Sequence, residues 1–165
     1  MYWYAVYTRS RQEKILARKL EEKSIETYLP LRKTIRQWSD RKKIVTEPLI
    51  RSYVFVHIDA VSYDSVLHTP GAVRYIWFDG KPASIPESQI NLLKVIAGSN
   101  VDAEPVTKDI EPGTPVRVIA GPMTGLTGEL AKVAGKNRFV VRLDHIEQSI
   151  SLSISPHLLE VIGTN

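Results

Sequence analysis

The sequence of 165 residues contains no cysteine. It therefore has no disulfide, no thiolate nucleophile and no zinc site built on cysteine, which fits a reducing cytosol. Its histidines are scattered along the chain without the spacing of metal ligands, at His57, His68, His145 and His157. We expect neither a metal site nor a bound cofactor.

Long apolar runs are also missing. No stretch approaches the roughly 20 apolar residues that a membrane-spanning helix needs. The first residues are aromatic and typical of a strand, without the charged and then apolar pattern of a leader peptide. We therefore expect a protein that has no membrane segment and that stays in the cytoplasm.

Motifs for catalysis are absent as well. The chain has no Gly-x-Ser-x-Gly elbow and no His-Glu-x-x-His pair. The glycine-rich residues 121–128 lack the Gly-Lys-Ser/Thr ending of a phosphate-binding loop, so a turn that needs glycines explains them better. We expect that the protein is not an enzyme. A small hydrolase is the least favoured hypothesis, and it stays open because carboxylates distant in sequence can converge in a fold.

Positive charge is concentrated in the first part of the chain. Residues 1–60 hold 13 Lys and Arg against 7 Asp and Glu, whereas residues 61–165 hold 9 against 11. Such a basic region favours attraction to a polyanion such as nucleic acid. Residues 32–43 carry six cations, one carboxylate and Trp38, and they predict a basic hairpin or loop. A solvated arm is the favoured interpretation of this segment, and a contact surface is the alternative.

The most strand-like run of the first half is residues 48–59, PLIRSYVFVHID. Side chains alternate across a strand, so the run has two faces. We expect an aliphatic face to form a core beneath helices, with Val54, Val56 and Ile58. The other face is aromatic and is either a second core layer or a surface kept for a partner, with Tyr53, Phe55 and His57.

Periodicity and capping signals predict the other elements of residues 1–98. A capping box of Ser10 and Glu13 predicts the start of a helix that runs to about Lys23. Arg9, Arg11 and Lys14 cluster at this start, where the helix dipole disfavours cations, so they are either solvated or face an anion. The remaining predictions are strands at 2–8, 25–31 and 73–78 and helices at 62–69 and 86–98.

This order of elements predicts an α+β domain with a small, largely antiparallel sheet and flanking helices over residues 1–98. Residues 99–111 are polar and acidic and predict a linker. Residues 112–165 predict about five short strands with tight turns, which is the pattern of a small all-β barrel.

Several motifs, in the right order, resemble those of the NusG-like transcription elongation and antitermination factors. They are WYAVYTRSRQEK at 3–14, YLPL at 28–31, PLIRSYVFV at 48–56 and TPGAVRYIWFDGKPASIP at 69–86. A further stretch, PGTPVRVIAGPMTGLTGEL at 112–130, resembles a KOW module with an SH3-like barrel. The resemblance covers nearly the whole chain and is strongest to specialised paralogues of the RfaH/UpxY type, which work on particular long operons.

The resemblance implies an N-terminal domain that binds the clamp helices of the largest subunit of RNA polymerase and suppresses pausing. The positions that match the family's clamp-facing apolar patch are Tyr7, Ile50, Tyr53, Phe55, Tyr75, Phe78, Ile90 and Leu93. This favours a partner surface at Tyr53 and Phe55, because an exposed aromatic patch is explained by a partner that covers it.

The resemblance implies further partners as well. The positions that match contacts with non-template or upstream DNA are Arg9, Arg11 and Lys14, and phosphate contacts there would be sensitive to salt. The KOW barrel would recruit another partner, such as a ribosomal protein or a termination factor. The chain itself is expected to be a monomer.

The sequence departs from the family pattern in two places. Arg and Ser at 51–52 stand where Pro-Gly or Pro-Asn is common, so we expect a different turn. Residues 62–64, SYD, replace the His-Thr-Thr type of run in the loop that contacts the polymerase gate, so that second contact is not assigned. A hypothesis from another class is an RNA-binding or ribosome-associated KOW protein.

Overall fold

A computed structural model of the protein describes residues 1–106 and 110–163. The chain divides into two compact units, Met1–Asn91 and Leu92–Asn165, which are described separately below. Within the described residues, no helix is both long enough and apolar enough to cross a membrane.

The first unit mixes strands with short helices. In chain order its elements are β1 (Tyr2–Thr8), α1 (Glu13–Glu22), β2 (Glu26–Tyr28), β3 (Leu31–Gln37), β4 (Lys42–Pro48), β5 (Tyr53–Ile58), α2 (Tyr63–Leu67), β6 (Ala72–Tyr75), β7 (Trp77–Phe78), β8 (Lys81–Pro82) and β9 (Ser84–Ile85). A third helix, α3 (Glu87–Gly98), contains the point where the two units divide.

The main sheet of the first unit is antiparallel. Its strand order is β2-β5-β1-β6, and β9 also pairs with β1. The predicted combination of antiparallel sheet and few helices is therefore confirmed. β5 lies inside the sheet, between β2 and β1, as the apolar character of both its faces indicated.

The aliphatic face of β5 forms a core beneath helices, as predicted. Its three aliphatic side chains belong to one buried cluster with Leu16 and Leu20 of α1 and Val66 of α2. α1 is amphipathic because Leu16, Ala17 and Leu20 recur at helical spacing and are all buried. Burying three such side chains is the main stabilisation that this short helix receives.

The predicted capping box at the start of α1 is wrong. The helix begins at Glu13 after Gln12, and no side chain caps it. Arg11 adopts a left-handed backbone conformation with φ of 61° just before it, which breaks the spacing that the box requires. The buried carboxylate of Glu13 instead accepts a hydrogen bond of 2.8 Å from the backbone N–H of Ser52.

Ser52 occupies the turn at which the sequence departs from the family pattern. Its φ of 67° is left-handed, which costs a residue other than glycine about 1 kcal/mol or more. Two hydrogen bonds offset this cost: the one to Glu13, and one in which the N–H of Thr8 donates to the Ser52 carbonyl at 2.9 Å. Glu13 therefore ties the start of α1 to the turn before β5.

The strand predicted over residues 73–78 is interrupted at Ile76. The N–H of Ile76 donates to the carbonyl of Ala5 in β1, and its own carbonyl accepts from Ala83. Beyond this point β7 and β8 form a small hairpin. Its turn lies at Asp79 and Gly80, and both residues have left-handed φ values.

The basic segment forms the predicted hairpin. β3 pairs with β4 over their whole lengths, from Leu31 opposite Pro48 to Gln37 opposite Lys42. On one face Glu47 accepts hydrogen bonds from Arg36 at 2.6 Å and from Arg32 at 2.7 Å. Together these bonds, with that of Arg36 the largest, lower the pKa of the Glu47 carboxyl below its usual range.

The second unit is an antiparallel sheet of short strands. These are β10 (Ala103–Val106), β11 (Thr114–Val118), β12 (Thr127–Val133), β13 (Lys136–Leu143), β14 (Gln148–Leu152) and β15 (Leu159–Val161), and among the described residues they pair in the order β10-β14-β13-β12-β11-β15. The last five correspond to the predicted strands. Ile150, Ser151 and Leu152 of β14 are all buried, so both faces of this strand are covered.

Part of the predicted linker is a strand. Residues 103–106 form β10 and pair with β14, at the opposite end of the second unit's sequence. The sequence AEPV contains a proline and does not alternate, so only the distant pairing partner makes it a strand. Residues 107–109 of the predicted linker lie outside the described residues.

An ion pair fastens residues 110–113 to the sheet of the second unit. Arg142 donates hydrogen bonds to the Glu129 carboxylate at 2.7 Å and to the carbonyl of Ile110 at 3.0 Å. The N–H of Gly113 donates to the same carboxylate oxygen at 3.1 Å. The bond from Arg142 is the largest of the effects that lower the pKa of Glu129 below its usual value.

This network makes the second unit sensitive to acid. A carboxyl whose pKa is depressed in the folded state contributes stability above its ordinary pKa of 4.5, and that stability is lost as the pH falls through the folded value. We expect the urea midpoint of the β13 amide signals, followed by NMR, to fall as the pH drops below 4.5. Glu129→Gln should lower the free energy of unfolding of the second unit by on the order of 1 kcal/mol at neutral pH. It should also make the urea midpoint less dependent on pH in the acid range. Glu47→Gln alters the network of the first unit and should leave the acid-induced fall of the β13 midpoint unchanged. If the midpoint falls as steeply in Glu129→Gln as in the unmodified protein, Glu129 is not the group responsible.

Candidate functional site

A row of three side chains crosses one end of the main sheet on the face opposite α1. In the strand register Tyr7 of β1 lies between Tyr53 of β5 and Arg74 of β6. The two tyrosine rings meet edge to face at 5.6 Å, and the Arg74 guanidinium carbon lies 5.6 Å from the centre of the Tyr7 ring. We call this set the tyrosine–arginine row. Tyr7 is 37% exposed, Arg74 is exposed and Tyr53 is half-buried.

The other end of the same face is closed. Trp3 is buried and stacks on His57 at 4.8 Å, with the ring planes 15° apart. The His57 Nδ1 atom lies 2.7 Å from a carboxylate oxygen of Glu26 on the neighbouring strand β2. The aromatic face of β5 is therefore both of the things that the sequence left open: a second core layer at one end and a surface at the other.

Phe55 belongs to the closed part, so the expected exposed surface is wrong for this residue. It is completely buried. It lies at the centre of the face, between Ala5 of β1 on one side and Tyr28 of β2 on the other. A side chain on an inner strand has neighbours on both sides, whereas Tyr53, two residues earlier, lies at the start of its strand.

Tyr75 lies on the opposite face from the tyrosine–arginine row, which also corrects the expected surface. It pairs with Val6 and joins the helix-side core. Its ring lies 4.3 Å from that of Tyr63, and its hydroxyl donates to the Tyr63 carbonyl at 2.9 Å. Burial raises the pKa of Tyr75 strongly and that of Tyr63 to about 12, so both rings are neutral core groups. Tyr63 belongs to the SYD run, and this packing explains its place there.

Three more of the predicted patch residues are buried. Ile50 precedes β5, and Ile90 and Leu93 lie on α3. Five of the eight positions are thus core residues, and the three with accessible side chains are Tyr7, Tyr53 and Phe78. The match to the family pattern selected these eight positions as an apolar surface, but apolar residues in a sequence do not distinguish an apolar surface from an apolar interior.

Phe78 lies at the tip of the β7–β8 hairpin and is 75% exposed. Its neighbour Trp77 is 56% exposed, because neighbouring side chains cover neither face of so short a hairpin. The base of the hairpin is joined to β1 at Ala5, two residues from Tyr7. Trp77 and Arg74 were not among the site residues predicted from the sequence. Two signals in the sequence could have identified them. A Trp-Phe pair directly precedes an Asp-Gly turn, and Arg74 lies next to Tyr75 in a strand, so the two side chains lie on opposite faces.

The three predicted nucleic-acid-binding cations lie between the end of β1 and the first turn of α1. Arg9 and Arg11 are in the connecting loop with exposed side chains, and the backbone N–H of Arg9 donates to the carbonyl of Gly71. Lys14 is exposed in the first turn of α1, and its ammonium group donates to the carbonyl of Thr46 in the β3–β4 hairpin. The fold therefore brings Lys14 into contact with the basic hairpin, which the sequence did not reveal.

A metal centre has no support in the described parts of the chain, residues 1–106 and 110–163. There, no group of three or more His, Asp or Glu side chains is placed to hold a metal ion.

Comparison with known proteins agrees with this architecture. The family model described as "Transcription termination factor nusG" matches residues 1–94, more than half of the chain. The protein therefore belongs to the NusG family, which is a family of transcription termination and antitermination factors and not of enzymes. The family that the sequence motifs predicted is confirmed.

Individual relatives are distant in sequence but match over their whole lengths. The transcription termination/antitermination protein NusG of Thermus thermophilus is 22% identical over 175 residues, which cover 93% of this chain and 95% of that protein. A structure described as "Domain interaction in Thermotoga maritima NusG" matches with a TM-score of 0.61 and 19% identity, over 98% of this chain and 97% of that one. This second likeness shows a shared fold.

Proposed function

We propose that the protein binds RNA polymerase through the exposed aromatic side chains of its first unit, suppresses pausing or termination, and recruits a further partner through a KOW barrel. The observation that carries this proposal is the tyrosine–arginine row, together with Phe78 on the adjoining hairpin. Large aromatic side chains left accessible on a folded unit typically mark a binding surface.

The dimensions of the row suit a helical partner. It crosses three neighbouring strands, which lie about 4.8 Å apart, so it is about 10 Å wide. An α-helix with its side chains has about the same diameter. The clamp helices of the largest polymerase subunit are the partner we propose. The contacts among Tyr53, Tyr7 and Arg74 fix the rings before binding, which reduces the entropy that binding costs.

The cations beside this surface suit a nucleic acid in the same complex. We propose that Arg9, Arg11 and Lys14 contact phosphates of the non-template strand or the upstream duplex. The exposed side chains of Arg9 and Arg11 support this role, since phosphate contacts require solvent-accessible cations. Such contacts add affinity that falls steeply as the salt concentration rises.

For the second unit we propose a KOW barrel over residues 112–165, following a domain over residues 1–98, with β10 from the predicted linker added to its sheet beside β14. Short antiparallel strands β11 to β15 support it. Gly128, which lies in the stretch that resembles a KOW module, supports it too. A Cβ there would lie 2.6 Å from the carbonyl oxygen of Val140 on the neighbouring strand, so the packing of β12 against β13 requires glycine at this position. We propose a ribosomal protein or a termination factor as its partner, and a role as a specialised paralogue on particular operons.

A second candidate function is RNA binding without polymerase. The observation that favours it is the β3–β4 hairpin, whose exposed cations include Lys33, Arg41, Lys42 and Lys43. A basic arm of this kind attracts RNA through its phosphates, largely independently of sequence.

Elongation complexes assembled from purified RNA polymerase distinguish the two candidates. We expect the full-length protein to co-elute with core polymerase and to shorten pauses during RNA synthesis at physiological salt. Free RNA of the same length should retain it weakly by comparison. Retention on RNA alone with a strong salt dependence, and no co-elution with polymerase, would overturn the proposal in favour of the RNA-binding candidate.

A further inference from the structure

One face of the β3–β4 hairpin carries two exposed isoleucines that neither the family assignment nor the proposed function uses. Ile35 and Ile44 are directly opposite each other in the register, and they are 67% and 68% exposed. Among the described residues, β3 and β4 pair only with each other, so no further strand extends this ribbon. The exposure of the two isoleucines shows that their face of the ribbon is open. The Glu47 network occupies one face, and the isoleucine pair lies on the other.

Charge on the isoleucine side has one sign. Of the residues that alternate onto this face, all of which the structure describes, none is acidic; they are Leu31, Lys33, Ile35, Gln37, Lys42, Ile44, Thr46 and Pro48. Lys33 lies two residues to one side of the isoleucine pair on β3, and Lys42 lies two residues to the other side on β4. Both lysines are exposed. We call this the isoleucine–lysine face.

Folding of the hairpin alone does not account for this composition. Cross-strand pairs of β-branched residues stabilise a ribbon, and valine or threonine pairs do so with less exposed apolar area. The other face already holds the two strands together through the hydrogen bonds from Arg32 and Arg36 to Glu47. Two large aliphatic side chains left in water between two lysines are a pattern typical of a docking surface.

We propose that the isoleucine–lysine face binds an amphipathic helix of a protein partner, whose apolar stripe is flanked by carboxylates. The spacing of the lysines defines this partner. They are four residues apart along the ribbon, which is about 13 Å, and lysine stems are flexible enough to shorten that span. Two carboxylates seven residues apart on one side of a helix are about 10 Å apart. The apolar residues three and four positions after the first carboxylate lie between them on the same side.

A protein partner fits this face better than a nucleic acid does. Phosphate groups require cations and hydrogen-bond donors, and unstacked bases require aromatic or guanidinium planes. The aliphatic pair at the centre of the face offers neither. Trp38, the residue of the hairpin suited to stacking, lies at the turn. Nucleic-acid binding is therefore treated below as an outcome of the test.

A designed peptide tests the proposal directly. The probe is an alanine-rich helix with glutamates seven residues apart and two leucines between them, titrated into the ¹⁵N-labelled full-length protein. We expect saturable shifts of amide signals from residues 33–35 and 42–46. A matched peptide with lysines in place of the glutamates should bind about tenfold more weakly or worse, and so should one with serines in place of the leucines. A 20-bp DNA duplex should not compete for the same signals.

Variants of the protein complete the experiment. Ile35→Thr with Ile44→Thr keeps β-branched residues in the strands and should lose the binding while the hairpin signals stay dispersed. Lys33→Glu with Lys42→Glu should reverse the preference, so that the lysine peptide binds more tightly than the glutamate peptide. Absence of saturable shifts, equal binding of both peptides, or competition by the duplex would overturn the proposal. Self-association through this face, detected by sedimentation of the free protein and abolished by the threonine variant, would overturn it too.

Discussion

Replacement of Phe78 by alanine is expected to weaken binding to RNA polymerase by about 30-fold or more while leaving the melting temperature nearly unchanged. An aromatic anchor at the centre of an interface contributes about 2 kcal/mol or more, which corresponds to this change in Kd. The side chain is 75% exposed in the free protein, so its removal takes little from the core. Fluorescence anisotropy of the labelled protein with core polymerase measures the first quantity, and thermal unfolding measures the second.

Tyr53→Ala should weaken polymerase binding in the same way, with a slightly larger cost in stability because its ring contacts Tyr7. Tyr2→Ala is the matched control. Tyr2 is 65% exposed on the same strand as Tyr7, but its register partner Ile58 points into the helix-side core. If Tyr2→Ala weakens binding as much as Phe78→Ala does, or if Tyr53→Ala unfolds the first unit, the tyrosine–arginine row is not the polymerase contact.

The second large effect is expected at Gly113. An alanine Cβ at this position would lie 1.9 Å from the carbonyl oxygen of Leu130 and 2.9 Å from the Cα of Ala131. Both obstacles are backbone atoms of β12, so no side chain can rotate away to make room. We expect Gly113→Ala to destabilise the second unit by about 3 kcal/mol, the upper part of the range for overpacking. Urea unfolding followed through the amide signals of β12 and β13 measures it.

Gly98→Ala provides the control for this experiment. Apart from its chain neighbours and the backbone of α3 itself, no described atom lies within 4 Å of a Cβ built there, and Gly98 has no left-handed φ. The substitution should leave the β12 and β13 signals as stable as those of the unmodified protein. Equal stability of the Gly113 and Gly98 variants would show that residues 110–113 can move away from β12, and that the Glu129 network does not hold them there.

Alternation of side chains along the strands proved the most informative signal in the sequence. It placed the aliphatic side of β5 in the core, because the period of a strand is fixed by its backbone. The helices were predictable for a similar reason, since Leu16, Ala17 and Leu20 recur at helical spacing. Each of these inferences depends only on residues close together in the chain.

Interactions between distant residues explain the wrong predictions. Glu13 has the spacing of a capping box with Ser10, but it pairs with the backbone of Ser52 instead. Tyr75 was expected at the candidate site, yet its register opposite Val6 and the interruption at Ile76 put it in the core. Neither partner can be identified from the local pattern, because strand register is decided by the whole sheet.

The candidate site shows the same limit. Its aromatic residues could be found from the sequence, but their exposure could not, and Phe55 and Tyr53 differ only in their distance from the end of one strand. Arg74 joins the site because β6 lies next to β1, which is a property of the sheet order. Sequence therefore predicted the aromatic members of the site, whereas the fold selected which of them meet solvent and added Arg74.

The β3–β4 ribbon has one more consequence, for the behaviour of the protein in concentrated solution. Its outer edges carry backbone N–H and carbonyl groups that β3 and β4 do not use in pairing with each other, and such edges are templates for cross-β aggregation. Lys33, Lys42 and Lys43 act there as gatekeepers, because two ribbons that approach edge to edge repel each other. In 1 M salt the Debye length shrinks to about 3 Å and removes most of this repulsion, so moderate ionic strength suits storage of the protein.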